Sequence, residues 1–299
     1  LNGIYSTMQS SDAYSGRLVY YGDVTGDDMQ AVSSTKRVAN YYRFNFTKDD
    51  NPSSHWSYLY SIIQNCNLIL MNIDKLVIDE DDKAYRDDLK GEALAIRGLA
   101  LFDLTRIFGY PYLKDNGASL GVPIIEGLST IDSKPTRNTV AQCYTKIIDD
   151  LTQSLSLLGE KFNKGKINKW GAMVLLSRVY LYKGENANAL KMASDAIIGA
   201  EKNKYALWTN EDYPTAWGED ASASKPGEVL FEIVNLTTDS PGKESMGYLN
   251  SYDGYDDMCI TCSFYQFLKE DPKDIRLQLL SFDKKYYAYV NKYQPQREE

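Results

Sequence analysis

The chain of 299 residues contains one histidine, His55. A single imidazole excludes multi-histidine metal centres and leaves any Ser-His-Asp or Cys-His arrangement with one possible base. Four cysteines (Cys66, Cys143, Cys259, Cys262) are too few for a disulfide framework. Basic residues are outnumbered, 33 against 41 acidic, for a net charge of -8. Such a chain is repelled by polyphosphate, which disfavours a nucleic-acid partner. No apolar run approaches the ~18 residues of a membrane span. The start, Leu1-Asn2-Gly3-Ile4-Tyr5, has neither a basic n-region nor an apolar h-region. The stretch Gly159 to Lys166 has five residues between its glycines, and Ile167 stands where a phosphate loop needs Ser or Thr. The sequence therefore assigns no catalytic residue, no metal site and no cofactor.

What is present is an ordinary globular composition, 43% hydrophobic and 25% charged, with one excess: 24 tyrosines. Residues 1–60 hold 8 of them, residues 61–199 hold 6 and residues 200–299 hold 10. Tyrosine joins a flat apolar face to a hydroxyl, which suits wet recognition surfaces. The tyrosines thus concentrate in two flanks around a middle of different character.

That middle has helical periodicity. Leu59, Ile62, Ile63, Cys66, Ile69, Leu70 and Ile73 recur at spacings of three and four, as do Leu89, Ala93, Ile96, Ala100, Leu104 and Phe108. Gly109 and Pro111 stop the second run. The acidic run Asp79 to Asp82 between them reads as a solvated connection, without the ligand spacing of a calcium loop. Thr139 with Gln142 three residues on predicts a capping box, followed by an apolar face of Tyr144, Ile147, Ile148, Leu151, Leu155 and Leu158. Two more helices are predicted over about Asn168 to Lys183 and Ala187 to Ala200. Met173, Leu176, Ser177, Tyr180, Gly184, Ala189, Ala193 and Ala196 match a tetratricopeptide unit, without its closing proline. The segments 58–76 and 86–108 look like an earlier, degenerate unit. The fold class expected is mainly α, a tetratricopeptide-like scaffold of helical pairs (an α-α superhelix) with irregular, loop-rich flanks and little β.

The segment Gly91-Glu92-Ala93-Leu94-Ala95-Ile96-Arg97-Gly98 through Phe108-Gly109-Tyr110-Pro111 resembles the SusD/RagB family of Bacteroidetes outer-membrane lipoproteins. So do Gly121-Val122-Pro123-Ile124, Gly22-Asp23-Val24 with Asp27-Asp28-Met29, and the helix from Trp56 through Asn67. Lys169 to Ile198 looks like the family's second helix pair, and Glu228 to Ile233 resembles the strand after it. The resemblance implies one domain over 1–299, with an N-terminal loop-rich segment (1–55), helical pairs (56–200) and a ligand-facing segment (201–299). Members of the family begin with a lipoprotein signal and continue with further helices, so the resemblance also implies a fragment. It implies a cell-surface capture module, lipid-anchored at the outer membrane, that hands ligand to a SusC-like TonB-dependent transporter. Members bind glycans, and some work with peptide importers.

Three groups of residues are candidates for ligand contact. Trp208, Tyr213 and Trp217 are interleaved with Asn210, Glu211 and Asp212. Sugars offer C–H faces to aromatic rings and hydroxyls to acids and amides, so such a mixture meets both needs; the same rings would equally pin a loop onto a scaffold. Tyr248, Tyr252 and Tyr255 lie with Asn250, Asp253 and Asp256 on a Gly-bearing irregular stretch, and the resemblance points there too. Tyr42 with Asn45, in Tyr41-Tyr42-Arg43-Phe44-Asn45, is the third, and a plain strand would look the same. Cys259 and Cys262 form half a zinc motif with no partner half, and are read as a local disulfide or two free thiols. Arg97, Phe102 and Phe108 match the family pattern as packing residues. The reading that emerges is a non-enzymatic glycan-binding protein. Peptide capture by the same architecture is the alternative; a glycoside hydrolase and a tetratricopeptide adaptor rank below both.

Overall fold

The computed structural model describes residues 1–47, 53–130, 132–218, 227–235, 241–283, 285 and 287–293. The helices are α1 (Asn2–Met8), α2 (Arg17–Val24), α3 (Ala39–Tyr42), α4 (Ser53–Leu70), α5 (Lys83–Phe108), α6 (Val140–Leu157), α7 (Lys169–Lys183), α8 (Asn186–Lys202), α9 (Met246–Asn250) and α10 (Cys262–Lys269). The strands are three residues each: β1 (Met29–Ala31), β2 (Met258–Ile260), β3 (Leu280–Phe282) and β4 (Ala288–Val290). The fold is mainly helical, as the periodicity requires. The chain divides into two compact units, each assembled from separated stretches of sequence.

The first unit comprises Leu1–Thr7, Trp56–Ala206 and Glu228–Glu232. Helix α5 packs along α6, α6 against α7, and α7 along α8, so the helical pairs follow chain order. Every residue of α5 from Gly91 to Thr105 is buried, the mark of a central helix covered on all sides. Gly91 and Gly98 let α6 approach closely: a Cβ there would stand 2.9 Å from Leu158 Cγ and 3.0 Å from Leu151 Cγ. Arg97 is not a packing residue alone. Its guanidinium donates to both Asp150 carboxylate oxygens, at 2.8 and 2.6 Å, and to Asn67 Oδ1 at 2.9 Å. Asn67 in turn donates to the carbonyls of Ile125 and Gly127. A buried bidentate pair extended through Asn67 holds α4, α5, α6 and the 125–127 loop in register.

The predicted caps form. Thr139 accepts from Gln142 N while Gln142 accepts from Thr139 N. Asn168 caps α7 by accepting from Gly171 N at 3.1 Å, and Gly184 ends α7 with a φ of 84°. Ser177 donates to the Ala189 carbonyl, tying α7 to α8. At the second small position of that interface, Gly199 lies under the Trp170 ring, where a Cβ would fall 2.1 Å from Cζ3. Glu80–Asp82 is an exposed 3-10 turn.

The expected strand over Glu228–Val234 does not form a ladder. Leu230 packs on the Trp170 and Met173 core, and Phe231 Cβ and the Leu230 carbonyl each pass about 3.3 Å from where Gly171 would carry a Cβ. The apolar run is buried against a helix instead of against another strand, which explains its composition without sheet pairing.

The second unit comprises Met8–His55, Leu207–Gly227 and Ile233–Glu299. Its core joins Tyr20, Val24, Met29 and Val38 from the N-terminal flank to Leu249, Met258, Ile260 and Ala288 from the C-terminal one. Strand β1 pairs antiparallel with β2 in the register Met29↔Ile260, and β3 pairs with β4 in the register Leu280↔Val290. The flanks also hold five short helices that periodicity missed: α1, α2, α3, α9 and α10. Elements of one or two turns are too short to show a 3.6-residue period and are held by packing. His55 is 1% exposed with both ring nitrogens unpartnered, and burial lowers its pKa to about 4.

Candidate functional site

The three rings of the first candidate group meet. Trp208 and Trp217 stand 5.1 Å apart, Tyr213 and Trp217 5.6 Å, and Trp208 and Tyr213 6.2 Å, all edge to face. Gly227, at a φ of 53°, permits this: a side chain there would strike Trp208 Nε1 at 2.5 Å. Two residues outside the group complete it. Tyr293 packs on Trp217 at 6.2 Å, and Lys292 Nζ lies 3.4 Å from the Trp217 ring centroid. Trp217 is thus enclosed, its indole N–H buried without a hydrogen-bond partner. Burial raises the pKa of Tyr293, with Asp23 adding to the effect; burial likewise raises Asp23, opposed by Lys292.

The second group is only partly brought together. Tyr248 and Tyr255 meet edge to face at 5.1 Å, with Arg37 lying 3.9 Å over the Tyr255 ring. Gly254 makes the turn between them: its missing Cβ would sit 2.0 Å from the Tyr248 carbonyl oxygen. Tyr252 points elsewhere, to Tyr289 at 5.8 Å, and is 43% exposed. Of the polar residues read with these rings, Asn250 is buried and Asp256 accepts from the Tyr289 hydroxyl while pairing with Lys36 at 3.4 Å. Neighbouring Asp257 is buried, which raises its pKa against the pull of Arg37 and Lys36.

The third group is not a strand. Tyr42 ends α3 and Phe44 adopts a φ of 54°, because the chain turns back with Asn45 N donating to the Asn40 carbonyl. Tyr42 and Asn45 are both exposed, while Tyr41 turns inward onto Tyr21 at 5.3 Å and Phe46 at 5.9 Å. Cys259 and Cys262 are free thiols, Cys259 buried in β2 and Cys262 exposed at the start of α10.

Sequence reasoning missed Tyr289, Lys292, Tyr293 and Arg37. The tyrosine excess of residues 200–299 was the available signal for two of them. Their placement links the groups. Tyr289 in β4 carries Tyr252, and Tyr293 four residues on carries Trp217. Four residues of chain span at most about 14 Å, so the two aromatic groups flank one short stretch of the same unit.

One unit is built of consecutive helical pairs, and the other carries aromatic clusters on irregular loops. The chain belongs to the SusD-like family, whose model, described as starch-binding and associating with the outer membrane, matches residues 1–181. A Bacteroides vulgatus protein with a proposed sugar-binding role is 82% identical, with a TM-score of 0.96, over 100% of this chain and 67% of that one. A SusD superfamily protein from the same species is 38% identical, with a TM-score of 0.90, over 97% of this chain and 66% of that one. A SusD-like protein of Bacteroides ovatus is 27% identical over 135 residues, 44% of this chain and 23% of that protein. The chain therefore spans about two thirds of the solved relatives. Among the described residues no helix is long and apolar enough to cross a membrane.

Proposed function

We propose that the chain binds glycan at the outer cell surface, without turnover, and delivers it to a SusC-like TonB-dependent transporter, held at the membrane by an N-terminal lipid anchor. Membership of a family described as starch-binding and outer-membrane-associated supports the ligand class and the location. The observation that carries the site is Tyr252: an exposed ring beside Asp253, braced from behind by a buried tyrosine. Tyr213 and Trp208, half-buried in the neighbouring cluster, extend the stacking surface. Trp217 supports Trp208 and Tyr213, with Lys292 over its own ring, while Tyr248 and Tyr255 pack on each other and under Arg37, apart from Tyr252. Tyr42 and Asn45 offer a further exposed contact. Several weak stacking contacts along one polymer reinforce each other by avidity.

The test is affinity electrophoresis through gels containing soluble polysaccharides. One polymer retards the protein, and Tyr252→Ala with Tyr213→Ala weakens the retardation roughly tenfold or more. Free migration through every gel would overturn glycan capture and leave peptide capture by the same architecture. Release of reducing ends from the retarding polymer would overturn binding without turnover.

A further inference from the structure

Within the first unit, α4 and the loop after Gly121 enclose an open cavity of about 470 Å³. Small-ligand pockets fall roughly between 300 and 1,000 Å³. Trp56, Tyr60 and Gln64 succeed one another at spacings of four along α4, so a single stripe of that helix forms one wall. Serines, a threonine and prolines of the 123–135 loop form the other. The lining is mixed in a particular way. It holds an indole, a phenol, two amides and five Ser or Thr hydroxyls, and among the described residues no Asp, Glu, Lys, Arg or His.

Each class of ligand meets this lining differently. A charged ligand finds no counter-charge and gives up hydration without return. A wholly aliphatic ligand strips water from the amides and hydroxyls and leaves them unpaired. A ligand with C–H faces and several neutral hydroxyls satisfies both halves, because the hydroxyls of Ser61, Ser129, Thr130 and Ser133 keep donor or acceptor capacity beyond the bonds they make within the wall.

Those existing bonds also fix the walls. The Tyr60 hydroxyl donates to the Pro123 carbonyl at 2.7 Å. Gln64 donates to Ser129 Oγ at 2.9 Å and accepts from Ser129 N at 3.1 Å, stitching the loop to the helix. Trp56 packs against Tyr60 at 4.9 Å, tilted, and edge to face with Phe108 at 5.0 Å, contacts that steady the indole where it lines the cavity. A ligand entering here has little side-chain freedom to quench.

We propose that this cavity is a saccharide-binding site for a short, uncharged, hydroxyl-rich segment of glycan, with Trp56 as the stacking platform. It uses none of the tyrosine-loop residues and shares only the ligand class with the function proposed above.

The test uses the full chain labelled with 5-fluorotryptophan at its four tryptophans, the Trp56 resonance being assigned by Trp56→Phe. Maltoheptaose, laminarihexaose, xylohexaose and mannohexaose are titrated in turn and followed by fluorine NMR. At least one neutral oligosaccharide shifts the Trp56 resonance saturably. Ser61→Phe, which fills the lip of the cavity from an exposed helix position, weakens that shift about tenfold. Tyr252→Ala leaves it unchanged. A Trp56 resonance that stays still throughout the panel overturns the inference. If Trp208 or Trp217 responds while Trp56 does not, the loop site stands and the cavity site falls. A response to sulfated oligosaccharides or to a fatty acid, with none to the neutral panel, overturns the ligand class.

Discussion

Glu92 places a carboxyl in the middle of α5, 4% exposed, where it accepts a hydrogen bond from the Tyr5 hydroxyl. That hydroxyl also accepts from Ile167 N at 3.1 Å, so one phenol ties the N-terminal helix to two parts of the first unit. Burial raises the Glu92 pKa from 4.5 to about 7, against the lowering pull of Tyr5 and Lys166. A carboxyl that holds its proton more tightly when folded contributes stability in acid and loses it as pH rises from the unfolded value through the folded one. The shift corresponds to about 3 kcal/mol when fully expressed. Glu92→Gln removes this titration and keeps an acceptor for Tyr5. Urea unfolding at about pH 5 and pH 8 then shows wild type losing stability relative to Glu92→Gln at the higher pH. An unchanged difference between the two proteins across that range would refute the assignment.

At the scale of elements, α7 and α8 illustrate how a repeat pair closes. Ala196 and Ala200 pack on Trp170 and Met173, and Gly199 admits the indole edge against the helix backbone. Gly199→Ala forces a methyl into the ring. Overpacking of this kind costs roughly 1–3 kcal/mol or more. The expected outcome is a thermal midpoint lowered by several degrees, with Trp170→Leu in the same chain recovering part of the loss, a coupling that a double-mutant cycle measures. Additive losses would show that ring and glycine do not meet. This pair was readable from Asn168, Gly184 and the small residues, because caps and small-residue contacts are local in sequence. The run Glu228–Val234 was not: its β-branched and apolar residues fit burial against a helix as well as pairing in a sheet, and only the partner distinguishes the two.

At the scale of the whole molecule, the second unit depends on residues more than two hundred positions apart. Its core sets Tyr20, Val24 and Met29 beside Met258, Ile260 and Ala288, and among the described strands β1 pairs with β2 alone. A chain ending at Asn235 loses β2, β4 and α9 together. Limited proteolysis with mass spectrometry is then expected to cut within Met8–His55 while α5 to α8, whose pairings are local, stay protected. Protection of Met8–His55 in the shortened chain would show that this flank folds without its C-terminal partner.

The sequence by itself determined what depends on neighbours within a few turns: the helices from Ser53 to Lys202, the capping box at Thr139, the left-handed end at Gly184 and the mainly helical class. It also marked the rings, since tyrosine and tryptophan in irregular segments stand out in composition. Only the tertiary structure decided which rings meet. Trp208, Tyr213 and Trp217 gather because Gly227 leaves room and Tyr293 closes the cluster, whereas Tyr252 parts from Tyr248 and Tyr255 because Gly254 turns the loop under them. Arg97 likewise matched a pattern in the sequence, but its bidentate bond to Asp150 exists only once α5 and α6 lie side by side. Contacts set by chain closure over long separations leave no periodicity in the sequence, and the folded chain alone supplies them.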